Sequence, residues 1–277
     1  MRLNNKHIDL SVPRVTTIVN VTPDSFYDGS RTFTEEEIEH HVARAIEEGA
    51  DMLDIGGYSS RPNADEVTID EEIARVGRAM KVIRRVCPEM VVSIDTFRAE
   101  VVRRIVAEWG DCIVNDISAG ELDPEMITTV ARLGLPYVAM HMRGTPTTMQ
   151  SMTDYSDILE EVQTYFVQKL SELRAAGIED IVIDPGFGFA KTLEQNYQLM
   201  NGLHRLGDLG APMLVGISRK SMIYKLLDTT PAEALNGTTA LHLEALRQGA
   251  KILRVHDTRE AVEVVKIYNQ LNKNNLE

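Results

Sequence analysis

The sequence is short of cysteine, of positive charge and of long apolar runs, and each shortage excludes something. Its two cysteines, Cys87 and Cys112, lack the spacing of a metal site or a redox pair. A disulfide scaffold is excluded, and a reducing cytoplasm is the simplest compartment. Lys plus Arg is 29 against 42 for Asp plus Glu, a formal net charge of −13. That acidity speaks against a sequence-independent nucleic-acid binder, whose affinity rests on neutralising phosphates. A membrane span needs roughly 18 or more consecutive apolar residues. The longest uncharged stretches, such as 133–142 and 209–218, fall well short. Met1 to Leu10 mixes Arg2, Lys6 and Asp9 with asparagine and has no apolar core of a signal peptide. No low-complexity segment or interdomain linker is evident.

What is present is a core and a rhythm. Apolar residues make up 43% of the 277, and the 26% that are charged are spread evenly, as in a folded chain. Short β-branched runs predict eight strands, at 14–21, 52–57, 91–96, 112–117, 137–142, 181–184, 213–217 and 251–255. Most are continuous rather than alternating, which suits strands covered on both faces of a parallel sheet. Helical patterns fill the gaps. Thr34-Glu-Glu-Glu37 is a capping box opening a helix that runs through Glu48 to Gly49. Seven more helices are expected at 70–86, 97–109, 123–133, 156–176, 193–206, 232–248 and 259–271. Eight βα units in this length predict an α/β chain folded as a (β/α)8 TIM barrel, in one domain. Residues 1–13 would cover the barrel bottom, 14–271 form the barrel and 272–277 be a tail. A doubly wound sheet is the alternative, but its usual five to seven strands leave one or more unexplained.

Polar residues collect at the strand ends. The first strand ends at Asn20, the third at Asp95, the sixth at Asp184 and the eighth at Arg254 and His256. The fourth carries Asn115 and Asp116, the fifth ends at His141 and Arg143, and Ser218-Arg219-Lys220-Ser221 closes the seventh. In a barrel all of these reach one C-terminal mouth. Helix caps and turns account for Thr96, Asp123 and Thr258. They do not account for Asp95, Asn115 and Asp184, each set in or beside an apolar run where an unpaired polar group is costly. Their convergence predicts a polar ligand. Gly186-Phe-Gly188 with Lys191-Thr192 has the wrong spacing for a phosphate loop. His40 and His41 are adjacent on a helix and diverge, so they are no metal pair, and His7, His204 and His242 carry no special signal. Alternation sets Met140 and Met142 on the face opposite His141, and by spacing alone they read as core.

The chain resembles the dihydropteroate synthase family over almost its whole length. The resemblance rests on Ile18-Val-Asn-Val-Thr-Pro-Asp-Ser-Phe-Tyr-Asp-Gly29, Asp54-Ile-Gly-Gly-Tyr-Ser-Ser-Arg-Pro62, Ser93-Ile-Asp-Thr96 and Val114-Asn-Asp116. It continues in Met140-His-Met-Arg-Gly-Thr-Pro146, Ile183-Asp-Pro-Gly-Phe-Gly-Phe189, Gly216-Ile-Ser-Arg-Lys-Ser221 and Ile252-Leu-Arg-Val-His256. It implies a (β/α)8 barrel that joins 4-aminobenzoate to 6-hydroxymethyl-7,8-dihydropterin diphosphate, releasing pyrophosphate. It further implies that Asp95, Asn115, Met140, Asp184, Lys220 and Arg254 hold the pterin, with Arg254 stacked on its face. Asn20, Ser60, Arg61 and His256 would take the diphosphate, with Asn20 the protein ligand of a magnesium ion. Phe26, Pro62, Phe189, Lys220 and Ser221 would form the 4-aminobenzoate pocket. Asp24 and Asp28, on a first loop that closes over the site, would join Asp95 and Lys220 in catalysis. The family is commonly homodimeric through its last barrel helices.

Two loops depart from the family's usual pattern, at three positions. Tyr58 and Ser60 replace Glu and Thr in the second loop, and Ala190 replaces a glycine after Phe189. The alanine matters if that position needs a positive φ. The chemistry expected is a dissociative displacement. Diphosphate leaves first, Asp95 stabilises the pterin cation, the first two loops exclude water, and the arylamine then attacks. Rival readings are a methyltetrahydrofolate corrinoid methyltransferase, which needs no diphosphate grip, and a catalytically silent pterin-binding protein.

Overall fold

The apolar runs become strands because helices cover one of their faces and the barrel interior covers the other. The computed structural model describes residues 1–3, 6–22, 34–59 and 67–273. A small antiparallel pair, β1 (Arg2–Leu3) and β2 (Lys6–His7), comes first. The barrel strands follow: β3 (Arg14–Asn20), β4 (Met52–Gly56), β5 (Val91–Asp95), β6 (Ile113–Asp116), β7 (Tyr137–Met140), β8 (Ile181–Asp184), β9 (Leu214–Val215) and β10 (Ile252–Val255). They pair in the order β8-β7-β6-β5-β4-β3-β10-β9, each pair parallel. A parallel bridge from Ile183 to Met213 joins β8 to the approach to β9 and closes the ring. This is the (β/α)8 TIM barrel that the strand count predicts.

The helices are α1 (Glu35–Glu47), α2 (Ile69–Val86), α3 (Ala99–Trp109), α4 (Met126–Leu133), α5 (Ile158–Ala175), α6 (Leu193–Asn201), α7 (His204–Gly207), α8 (Ser221–Tyr224), α9 (Leu235–Arg247) and α10 (Thr258–Leu271). The capping box of α1 forms, with Thr34 accepting from the Glu37 N–H and Glu37 from the Thr34 N–H. Three expectations need correction. The helix expected over 193–206 breaks into α6 and α7 at Gly202, the C-cap of α6, where a Cβ would lie 2.4 Å from Leu159 of α5. The helix expected from Asp123 begins at Met126, with Glu125 at its N-cap; the Asp123 carboxylate closes the preceding turn on the Glu125 N–H and takes the Ala99 N–H at the start of α3. Pro231–Glu233 forms a 3-10 turn ahead of α9, so the helix expected from Ala232 starts at Leu235.

The barrel has one apolar end and one polar end. Leu3 packs on Met52, Ile113, Val138, Val182, Leu214 and Ile252, with Ile8 and Leu10 beside them. The N-terminal segment therefore closes the end at which the strands begin. Two larger clusters fill the layer between strands and helices.

Candidate active site at the barrel mouth

Strand register sets the site. Asn20 pairs with Gly56, Gly56 with Asp95, and Asp95 with Asn115, a single row across β3 to β6. Met140 pairs with Asp184 across β7 and β8. Side chains at equal height on parallel strands share a face, so these groups converge. Glycines leave the room. A Cβ on Gly56 would lie 3.0 Å from Asn20 Oδ1 and 3.9 Å from Asp95 Oδ2, and one on Gly216 3.9 Å from Asp184 Oδ2.

Arg254 lies at the centre. Its Nε donates to Asp54 Oδ2 at 2.6 Å and its second terminal nitrogen to Asp95 Oδ2 at 2.6 Å. Asn115 Nδ2 donates to the same Asp54 oxygen at 3.2 Å. The Asp54 side chain is 1% exposed, whereas that of Asp95 keeps 22% toward the mouth. Asp184 accepts from the Gly186 N–H at 2.8 Å. Lys220 Nζ donates to the Phe187 carbonyl at 2.6 Å and sits 4.8 Å from the centre of the Phe189 ring.

These contacts tune the charges. Burial pushes Asp95 up to about 7, and the Asp54 charge adds to it against the pull of Arg254. Burial also raises Asp184, which Lys220 opposes. Burial pushes Lys220 down to about 8 despite Asp184. Arg254 stays a guanidinium, because Asp54 and Asp95 together overcome the cost of its burial. The mouth thus holds an acid near its midpoint at neutral pH beside a fixed cation.

The structure brings together Asn20, Asp95, Asn115, Met140, Asp184, Lys220 and Arg254. Met140 and Met142 lie in an apolar cluster with Ile117, Met149 and Ala190, against Phe189. His256 borders the group, its N–H donating to Ser218 Oγ at 3.1 Å, and Ser221 opens α8. Asp24, Phe26, Asp28, Ser60, Arg61 and Pro62 lie outside the described residues.

Other strand-end residues face away from the mouth, contrary to expectation. His141 packs among Tyr155, Tyr165 and Phe166 behind β7. Arg143 pairs with Glu161 and lies 3.7 Å over the Tyr155 ring. Asp116 accepts from Ser118, Gly120 and Tyr137 and serves the loop after β6. The alternation of side chains along a strand explains Asp116 and His141, each one position from a mouth residue; Arg143 lies beyond the end of β7 and is drawn off by Glu161 and Tyr155.

Sequence reasoning missed Asp54 and Lys191. Asp54 stands inside the run Met52-Leu53-Asp54-Ile55, the same signal that singled out Asp95, Asn115 and Asp184. Of the two departures, Ala190 adopts φ +49°, so the methyl group sits in the left-handed region that glycine occupies freely. The Tyr58 ring meets Phe97 edge-on at 5.2 Å and lies 5.0 Å from the Arg98 guanidinium. Arg98 in turn pairs with Glu72 at 2.8 Å, which supplies a carboxylate from α2.

Comparison with known proteins fits this arrangement. The profile of the pterin binding enzyme family matches residues 16–256. Dihydropteroate synthase of Haemophilus influenzae is 40% identical over 267 residues, 96% of either chain. The chain belongs to the dihydropteroate synthase family. It is therefore an enzyme, a transferase of the folate pathway. Among solved structures of the family, Yersinia pestis dihydropteroate synthase with a sulfonamide drug superposes with a TM-score of 0.92 at 37% identity, over 99% of both chains. The Xanthomonas albilineans enzyme with 4-aminobenzoic acid gives 0.87 at 40% identity over 98% of both. The same enzyme with 7,8-dihydropteroate gives 0.83 at 38%, over 96% of this chain and 95% of that one.

Proposed function

We propose that this chain condenses 6-hydroxymethyl-7,8-dihydropterin diphosphate with 4-aminobenzoate at the barrel mouth, giving 7,8-dihydropteroate and pyrophosphate by a dissociative displacement. The observation that carries this reading is the convergence of Asn115, Asp184 and Lys220 around the Asp54–Arg254–Asp95 bridge. A pterin presents neighbouring donors and acceptors on one edge. The Asp184 carboxylate matches the donor pair, Asn115 both donates and accepts, and Lys220 donates to a ring acceptor. Arg254, held flat by its two carboxylates, offers a planar cation for the ring face. Met140 walls the pocket. Analogues lacking the polar edge would leave these buried groups unpaired and be rejected.

Diphosphate falls to Asn20, Ser60, Arg61 and His256. Phe26, Pro62, Phe189, Lys220 and Ser221 enclose the 4-aminobenzoate, consistent with the Xanthomonas relative solved with that ligand. The C–O bond to diphosphate breaks with its electron pair on the leaving oxygen, and the positive charge spreads into the dihydropterin. Asp95 stabilises that charge where it develops, with Asp24 and Asp28 supplying further carboxylates from the first loop. The amine nitrogen then bonds to the methylene carbon and releases a proton to solvent. A strong general base is unnecessary, because the alkylated anilinium is very acidic.

Magnesium fits the mouth as a guest held mainly by substrate. Asn20 Oδ1 is a hard oxygen donor over the space above Gly56, beside the Asp95 carboxylate. The described residues contain no cluster of three or more His, Cys, Asp or Glu able to cage a metal. One amide oxygen with diphosphate oxygens and water suits magnesium, which dehydrates reluctantly. Bound there, it would neutralise charge on the leaving diphosphate.

No helix among the described residues is long and apolar enough to cross a membrane. The free thiols Cys87 and Cys112 suit a cytoplasmic enzyme. A homodimer through α10 would cover Ile267 and Leu271, which stand 55% and 66% exposed one turn apart. The deciding experiment is pyrophosphate release from the pterin diphosphate with magnesium, with and without 4-aminobenzoate. Formation of 7,8-dihydropteroate with pyrophosphate release supports the synthase reading, and release that does not wait for 4-aminobenzoate supports the dissociative order. Methyl transfer from methyltetrahydrofolate, or pterin binding without turnover, would replace the synthase reading.

A further inference from the structure

Behind the mouth, on the far side of the loop after β8, lies a second lysine that the reaction does not use. Lys191 is 6% exposed and its ammonium has three acceptors: the Gly186 carbonyl at 2.9 Å, the Phe189 carbonyl at 3.0 Å and His141 Nδ1 at 3.1 Å. That is every donor an ammonium has. With Lys191 as the donor, His141 accepts at Nδ1 as a neutral imidazole; burial pushes Lys191 itself down to about 7 against the pull of Asp184. Burial beside Lys191 and Arg143 depresses the basicity of His141 in the same direction.

The loop so held has little backbone bonding of its own: the Phe189 N–H donates to the Gly186 carbonyl at 3.1 Å, and the Gly188 N–H donates to Asn196 Oδ1 at 2.7 Å. Gly186, Gly188 and Ala190 all have positive φ, of +70°, +81° and +49°. Left-handed residues at every second position preclude a regular backbone ladder. The loop's carbonyls are instead divided between two ammonium groups. Those of Gly186 and Phe189 face Lys191, and that of Phe187, between them, accepts from Lys220. Phe189, whose ring lies against Lys220, is thereby fixed from behind through its own carbonyl.

We propose that Lys191 and His141 are positioning residues, a buried clamp that sets Phe187 and Phe189 against Lys220 and so fixes the affinity for the arylamine substrate. The inference rests on the assignment of Phe189 and Lys220 to the 4-aminobenzoate pocket. Lys191 meets no substrate and acts through the loop alone. The Asp184 backbone carbonyl accepts from the His141 N–H, a contact that side-chain substitutions leave in place, while its carboxylate takes the Gly186 N–H at the near end of the loop. Loss of the clamp therefore weakens 4-aminobenzoate more than pterin.

The test uses Lys191→Met, which keeps the stem and removes the donors, with His141→Gln and His141→Leu. Gln retains a side-chain acceptor and Leu does not. Each variant is assayed for the Michaelis constant of the arylamine substrate, for pterin affinity by titration without 4-aminobenzoate, and for its melting temperature. Lys191→Met and His141→Leu should raise that Michaelis constant about tenfold or more, since small misplacements of positioning groups cost this much. Pterin affinity should stay within about threefold, and His141→Gln should restore most of the loss. A folded Lys191→Met with an unchanged Michaelis constant overturns the proposal, as does equal weakening of both substrates. Should Lys191→Met not fold, the His141 pair decides, and equal Michaelis constants for the Gln and Leu variants overturn it. Wild-type protein that fails to use 4-aminobenzoate at all would instead overturn the proposed function on which the inference rests.

Discussion

Replacing Asp54 by alanine tests the electrostatics of the mouth at its least exposed member. Asp54 accepts from Arg254 at 2.6 Å and from Asn115 at 3.2 Å. Removing one partner of a buried ion pair costs about 3–5 kcal/mol, mostly because the other charge is left unpaired. Arg254 keeps Asp95 and 18% exposure, which sets the expectation at the low end, about 3 kcal/mol. For a domain somewhat smaller than this one, 1 kcal/mol moves the melting temperature by about 2–4 °C, so the drop should be roughly 6–10 °C. Asp54→Asn keeps an acceptor and the shape, and should lose about half as much. A second effect has a definite sign. Asp54 helps to raise Asp95, and it shares the guanidinium that lowers it. Without Asp54, Arg254 serves Asp95 alone, so Asp95 ionises at lower pH. The acid limb of kcat/KM for the pterin diphosphate should then move downward from about 7. Circular-dichroism melts and pH–rate profiles read both effects. An Asp54→Ala protein that melts within about 2 °C of wild type, or whose acid limb does not move, would refute the reasoning.

Asp95→Asn should lower kcat about 10²–10³-fold, the loss expected on removing a preorganised electrostatic partner, and should abolish the acid limb. A limb that persists in this variant belongs to another group. Gly186→Ala would set a Cβ 2.0 Å from the His141 carbonyl oxygen at φ +70°, so the loop after β8 must move. A cost above about 3 kcal/mol is expected in urea unfolding, and an unchanged midpoint would contradict the geometry. Ala190→Gly relieves the left-handed strain at φ +49°. It should stabilise by about 0.5–1 kcal/mol, less what the buried methyl contributes, and a fall in melting temperature would show that packing wins.

The barrel was legible because its strands are continuous apolar runs bounded by glycine turns, a pattern that few folds share. Helix starts were less legible. Asp123 looks the same as a first helical residue or as a residue closing the turn before it, and only its contact with Ala99 on the neighbouring helix decides. The break falls at Asn201-Gly202, a local stop signal like Gly49 that was passed over because apolar spacing resumes at Leu203 and Leu206. In the site, polar residues in apolar runs pointed correctly to Asp95, Asn115 and Asp184. The same signal picked His141 wrongly, because a residue's position in a strand does not say which face it takes. Counting from Met140, period-two alternation turns His141 to the helix side. Applied to Asp54 and Asp95, whose side chains both bind Arg254, it would have found the carboxylate that was missed.

Burial is the larger cause of the raised pKa of Asp95, and a shortage of positive charge at the mouth adds to it and bears on the proposed stabilisation of a pterin cation. Among the described residues lining the mouth, three carboxylates, Asp54, Asp95 and Asp184, face two cations, Arg254 and Lys220. With all five charged, the group is short of one positive charge. Before substrate arrives, a proton competes for Asp95, whose burial together with the charge of Asp54 raises it to about 7. The form that acts is the carboxylate, its proton released to solvent beforehand; when the C–O bond breaks, the positive charge appears in the ring against it. A neutral pterin needs no such deficit for binding; its hydrogen-bonding edge would be served equally well by a balanced site. The imbalance therefore favours a site built around a developing cation over one built for binding alone.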